Sequence, residues 1–441
     1  MEKIESAGWG RSLHSISSEY EPGSVQELQE FVSANEISRG AIAHGLRRSY
    51  GDSSLNIGGV TINSEFLSGL TFHSENRMVT VGAGVSMRTL EKAALERQLF
   101  PPVVPGTGYV SIGGAIAADI HGKSHHTTGS FSSCVKRIQL LYSDGEVRDL
   151  YPEGPTANHF WATVGGLGLT GIILEADLQL IAMESSSVMV EETRVDDLEE
   201  MLSVLSSSDA GFQHTVAWID LSGDFRGRGV VGKGNYITQS LDSTPSKIKK
   251  GTSLPFPKIG NLSLINKYTV RAFNEMWFRK PLTNGTTTLD SFMHPLDRIQ
   301  NWNRIYGGQG FLQYQFVVPE GNEDFLELVL STMKELGAAS FLGVLKRFGK
   351  GSPGHLSFPK PGWTLALDIP TQLDNLEQAL NSLDSQLCAR DGRIYLIKDA
   401  RLKAEFVPLM YPRLEEWRAI RNNMDPRGMW QSDQSRRLKL C

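Results

Sequence analysis

Apolar positions in the first 180 residues come in short bursts. Val25, Leu28, Phe31 and Val32 share one helical face behind Ser24-Val-Gln-Glu27, which predicts a capped helix ending near 34. Runs at 40–44, 60–63 and 78–81 predict strands, and a helical period covers 87–98. Strand patterns resume at 136–142, 146–150 and 171–181, after a glycine-rich stretch whose one short helix starts at Ser111. Short strands and helices joined by glycine loops predict an α+β unit ending near 185. Beyond it the texture changes. Helical periods at 195–206, 322–335 and 374–388 alternate with strand-like runs at 215–219, 311–318, 341–347, 364–369 and 393–397. That alternation predicts a sheet covered by helices on one face.

Composition sharpens this picture at three points. Of 44 glycines in 441 residues, 23 precede residue 181, so the first unit uses backbone more than side chains. The net charge of −5 offers no overall attraction for nucleic acid, and no such partner is expected. The average hides residues 221–280, where 11 Lys/Arg face 3 Asp/Glu. Within it, 243–267 reads as a mobile loop. Three cysteines without metal-ligand spacing, and no apolar leader or bilayer-length run, predict a cytoplasmic protein, at most peripheral at the inner membrane.

Two phosphate motifs fail on context. Gly166-Leu-Gly-Leu-Thr-Gly171 satisfies G-x-G-x-x-G, but a dinucleotide fingerprint must open a helix and the next residues alternate like a strand. Gly122-Lys-Ser124 ends like a P-loop, yet Ala117 stands where the upstream glycine is required. His121, His125 and His126 lack a neighbouring Cys or carboxylate to complete a metal shell, and Gly122 and Gly129 argue against a regular helix there, so no metal is expected. Loops 43–53 and 105–114 are better candidates. Both offer consecutive N–H donors beside small side chains, as an anion requires.

His44-Gly-Leu-Arg-Arg-Ser-Tyr-Gly-Asp52, Val104-Pro-Gly-Thr107, Ile112-Gly-Gly-Ala-Ile116, Asp119-Ile-His-Gly-Lys123 and His125-His126 resemble the PCMH-type FAD-binding (vanillyl-alcohol oxidase) superfamily. Trp161-Ala-Thr-Val-Gly-Gly166, Phe311-Leu-Gln-Tyr-Gln-Phe316, Lys398-Asp399 and Ser432-Asp-Gln-Ser-Arg-Arg-Leu438 narrow the resemblance to the decaprenylphosphoryl-β-D-ribose 2′-oxidase family, over nearly the whole chain. The resemblance implies an α+β, two-domain PCMH-type fold with an antiparallel-sheet substrate domain. The FAD-binding domain would comprise 1–185 and a returning segment, 393–441, with the substrate domain at 186–392 between them. FAD contacts carried over by motif are Ala43, His44, Gly45, Leu46, Arg47, Arg48, Ser49, Tyr50, Gly51, Asp52, Ser53, Gly106, Thr107, Ser111, Ile112, Gly113, Gly114, Ala118, Asp119, Ile120, His121, Ile173 and Tyr395. Many superfamily members bond a first-loop histidine to the flavin. Here that stretch reads Arg-Ser-Tyr-Gly-Asp, so non-covalent FAD is expected.

The implied reaction oxidises the ribose 2′-hydroxyl of a polyprenyl-phospho-ribose to a 2′-keto sugar, with hydride passing to flavin N5. It would be the first half of an epimerisation to an arabinan precursor for the cell wall, with a short-chain reductase acting next. Lys398 matches the position that stabilises charge on reduced flavin, and His121 is the candidate proton acceptor. Lys123, Tyr306, Gln313, Gln315 and Lys346 are candidates for sugar or phosphate contacts, and Trp218 and Phe348 for the lipid side. Ala366 departs from mycobacterial-type members, which carry there the cysteine that nitroaromatic inhibitors modify. Two alternatives stay open: a flavoenzyme for another carbinol (aldonolactone, alditol or different phospho-sugar), and a flavin-binding protein that does not turn over. The basic segment adds a further expectation, contact with anionic lipid headgroups.

Overall fold

The computed structural model describes residues 1–34, 37–222, 227–237, 254–257 and 263–441. Three sheets position the site. The first has strand order Glu2–Ala7, His14–Tyr20, Val60–Asn63, Ala41–His44; the outer pair is antiparallel and the other pairings are parallel. The second is antiparallel: Leu70–His73, Met78–Gly82, Ile172–Gln179, Val135–Leu141, Val147–Leu150. Gly166–Gly171 leads directly into strand Ile172–Gln179, so the formal dinucleotide motif starts a strand.

The third sheet is antiparallel and eight-stranded: Asn284–Thr288, Ser187–Val195, Gly229–Tyr236, His214–Ile219, Gly343–Phe348, Gly362–Pro370, Phe311–Val318, Arg393–Ile394. Strand Phe311–Val318 shows how its faces divide. Phe316 meets Phe325 of helix Asp324–Glu335, and Tyr314 donates to Asp384 of helix Leu376–Ala389. Gln313 and Gln315 alternate to the opposite face. Residues 414–441 fold back on the first part of the chain. Trp417 donates to the Ala162 carbonyl, and residues 429 and 431 bracket Ala41 by backbone hydrogen bonds.

Some boundaries differ from the sequence reading. The helix at 87 ends at Leu95, and the strand at 393 stops at Ile394 because Leu396–Lys398 forms a 3-10 turn. His125–Thr128 forms one helical turn despite its glycine flank, because Gly129 closes it at φ +79°. Lys247, Lys249 and Lys250 of the basic segment lie outside the described residues.

Candidate active site

A cavity of about 1340 Å³ lies between the glycine loops and the face of the large sheet that bears Gln313 and Gln315. Ligand pockets commonly span about 300–1,000 Å³, so this one has room for a dinucleotide-sized group and a second ligand. Loop 45–53 forms one wall. Arg47 turns it at φ +50°, and the N–H groups of Leu46, Arg47, Arg48 and Ser49 bond to no described residue. Consecutive free donors around a left-handed residue make a concave anion site. The Arg48 guanidinium lies 4.0 Å from the Trp9 ring centroid, and its Nε is unpartnered among described residues. Gly45 is dictated by packing: a Cβ there would fall 2.0 Å from Ser111 Oγ. Ser111 caps helix Ile112–Ala117 by accepting from Gly114 N–H.

Most of the expected FAD contacts line this cavity: Ala43 to Tyr50, Ser53, Gly106, Thr107, Ser111, Gly113, Gly114, Ala118, Ile120, His121, Ile173 and Tyr395. Gly51, Asp52, Ile112 and Asp119 lie behind the wall instead. Gly51 packs so tightly that a Cβ would lie 1.9 Å from the Asp399 carbonyl oxygen. Asp52 pairs with Arg437 at 2.6 Å, and Ile112 is fully buried. Asp119, at φ +40°, accepts hydrogen bonds from Ser130, Ser132, Ser352 and Ser357. These four residues brace the loops from behind the cavity wall.

The other half of the cavity collects Lys123, Trp218, Gln313, Gln315, Lys346, Ala366 and Lys398. Tyr306 and Phe348 sit outside it. Tyr306 stacks on Phe311 at 4.2 Å, and Phe348 packs beside His121 at 4.7 Å. Seven Lys/Arg side chains line the cavity against two carboxylates, Glu192 and Asp297, an arrangement that favours anionic ligands. Burial lowers the lysine pKa values, to about 8 for Lys346 and, with Lys346 adding repulsion, to about 7 for Lys123. Lys398, whose ammonium sits 3.7 Å from the Tyr50 ring centroid, is also pushed down to about 7, chiefly by burial.

His121 is neutral, because burial and then Lys346 hold its pKa well below the usual histidine range. Its Nε2 lies 3.1 Å from Gln315 Nε2, and Nδ1 finds no partner among described residues. His44 has both ring nitrogens engaged, Nδ1 with the Gly45 carbonyl at 2.9 Å and Nε2 with Glu19 at 2.7 Å.

Two groups escaped the sequence reading. Asp297 joins the second loop, accepting from Thr107 Oγ1 at 2.6 Å, Gly108 N at 2.8 Å and Arg88 at 2.9 Å. No local pattern announces that long-range contact. Asp368, hydrogen-bonded to Gln313, is different: it is a lone carboxylate in an apolar strand, two residues from Ala366, and period-two alternation was signal enough.

Comparison with known proteins adds the following. Residues 19–151 match the family described as FAD binding domain. The chain is 41% identical to decaprenylphosphoryl-β-D-ribose oxidase of Mycolicibacterium smegmatis, over 98% of this chain and 97% of that one. An uncharacterized protein from the mprA 5′ region of Streptomyces coelicolor is 32% identical, over 81% of this chain and all of that one. D-2-hydroxyglutarate dehydrogenase of Xanthomonas citri pv. viticola is 30% identical over 36% of this chain and 35% of its own length.

Proposed function

Because the chain belongs to the decaprenylphosphoryl-β-D-ribose oxidase family, we propose that it uses FAD to oxidise the 2′-hydroxyl of a polyprenyl-phospho-ribose to the 2′-keto sugar. It is an FAD-dependent oxidoreductase acting on CH–OH groups. The observation that carries the substrate reading is the continuity of one cavity, from the donor-rich loops to a strand face bearing amides and lysines. The first half suits a pyrophosphate and the second a charged sugar.

FAD fits the residues present. Free N–H groups at 46–49 and the Arg48 guanidinium meet the demands of a pyrophosphate, and Gly45 leaves space that a side chain would fill. Its attachment is non-covalent on this reading, since both His44 nitrogens are engaged. When bound, FAD supplies the acceptor for the hydride leaving C2′.

The chain's own groups do the rest. Lys398 provides positive charge at the cavity wall, where the site becomes more negative during oxidation. His121 accepts the hydroxyl proton at Nε2 once a substrate hydroxyl takes the place of the Gln315 amide; the lowered pKa leaves that lone pair unprotonated and free to accept. Gln313 and Gln315 bond the sugar hydroxyls, and Lys123 and Lys346 meet the phosphate. A short-chain reductase acting on the keto product completes the proposed sequence.

Anaerobic bleaching of the bound flavin by a panel of polyprenyl-phospho-sugars tests this. Lipid-linked ribose should bleach it, while Lys398→Ala and His121→Ala should slow bleaching by about 10²-fold or more. Bleaching by an aldonolactone or alditol alone would move the substrate to another carbinol. No bleaching by any carbinol would leave a non-catalytic flavoprotein.

A further inference from the structure

Strand Gly362–Pro370 is apolar except for Thr364 and a single charge, Asp368. Alternation puts Asp368 on the same face as Ala366, and the antiparallel register sets it opposite Gln313, just as Ala366 is set opposite Gln315. Ala366, Gln313 and Gln315 reach the cavity, whereas Asp368 is 0% exposed beneath them. Gln313 Nε2 donates to its Oδ1 at 2.7 Å, and its Oδ2 has no hydrogen-bond partner among the described residues. An ionised carboxylate so placed is costly unless a cation balances it.

The groups that face this carboxylate from outside the sheet come from three elements. Tyr50 faces it from loop 45–53, Tyr306 from the turn at 302–306, and Lys398 from the turn at 396–398, with Lys346 and His121 beyond Lys398. Arg48 is held over Trp9. Lys398 lies over the Tyr50 ring, and among described residues it makes no ion pair within 4.0 Å. One buried acid therefore lies behind Gln313 on the cavity wall that also bears Lys398, and the two attract each other.

We propose that Asp368 is a positioning residue for the oxidation: it holds Lys398 as an ammonium at the cavity wall and turns the Gln313 amide so that its carbonyl oxygen is free for the ligand. The amide orientation follows because a carboxylate only accepts, so Gln313 must offer it nitrogen. The charge argument follows from the opposing forces on Lys398. Burial and Lys346 favour its neutral form, and Asp368 opposes them. In return Lys398 favours an ionised Asp368, whose pKa burial has raised to about 7. The consequence for catalysis rests on the FAD oxidase reading; the pair itself does not.

The test titrates FAD-loaded protein carrying 13Cε-labelled lysine, with the Lys398 resonance assigned by its loss in Lys398→Met. Asp368→Asn should lower the Lys398 midpoint by about one unit or more, leaving roughly tenfold less ammonium above it. Asp368→Glu should restore most of that shift. Sulfite, which adds more readily to flavins near positive charge, should bind about tenfold more weakly to Asp368→Asn in that pH window. An unchanged Lys398 midpoint in Asp368→Asn overturns the proposal. If that variant does not fold, the wild-type curve decides, since a coupled carboxylate imposes a second inflection and a single one overturns it. These readouts are independent of bleaching, so a failed substrate leaves the pair intact, and an absent pair leaves the substrate reading intact.

Discussion

Ala366 stands on the cavity wall opposite Gln315, at the position where the family resemblance implies a reactive cysteine in mycobacterial-type members. Nitroaromatic inhibitors that form an adduct with that cysteine should leave this protein unmodified. Ala366→Cys should gain the adduct, read as a mass increase of the intact protein; an unmodified Cys variant would show that position 366 is not where the activated inhibitor sits. Residue by residue, the site was legible where a motif or a period of two carried it. The free donors at 46–49 and the paired glutamines were visible in that way. Gly51, Asp52, Ile112 and Asp119 were not separable from true wall residues, because a loop motif preserves the residues that brace it as well as those that face inward. Tyr306 and Phe348 pack behind the cavity wall for a related reason: an aromatic near a site is as useful for packing as for contact.

Helix Lys267–Arg279 sits at the edge of the cavity with two active faces. Thr269, Phe273 and Trp277 line the interior, while Tyr268 is 74% and Met276 62% exposed, flanked by Lys267, Arg271 and Arg279. No described helix is long and apolar enough to cross a membrane. An amphipathic helix with exposed apolar residues and basic flanks suits an anionic bilayer surface, from which a polyprenyl chain would enter. Tyr268→Ser with Met276→Ser should cut co-sedimentation with phosphatidylglycerol-containing vesicles several-fold, and Arg271→Glu should add to the loss. Undiminished pelleting would exclude this helix as a contact with anionic lipid. Elements with strong apolar periods, such as Asp324–Glu335 and Phe311–Val318, were readable in the chain. The opening strands Glu2–Ala7 and His14–Tyr20 were not, because polar sequences of that kind become strands through the ladders they join.

One hydrophobic core runs through all three sheets and the returning C-terminal segment, and it encloses histidines as well as apolar side chains. His125 and His214 are buried with pKa values lowered to about 3, chiefly by burial and then by neighbouring cations. In the unfolded chain each binds a proton below about pH 6.5, whereas in the folded protein each stays neutral down to about 3. Stability therefore falls as pH drops through that window, by roughly 1.4 kcal/mol per unit for each histidine. Urea unfolding at pH 5.5 and 4.5 should show this slope, and His214→Leu should flatten it by about one histidine's share. An equal slope in the variant would assign the acid sensitivity to other groups.

By itself the sequence determined the α+β class, the two donor-rich loops and the family to which the chain belongs. Each of these rests on local spacing: a capping pattern, an alternation, or glycines where backbone must approach a ligand. Tertiary structure decided which loop residues line the cavity, how Asp297 clasps the second loop, and how Asp368 comes to lie opposite Gln313, behind the wall that bears Lys398. Those relations join positions far apart in the chain, and strand register together with the packing of distant turns, which no local pattern encodes, settles them.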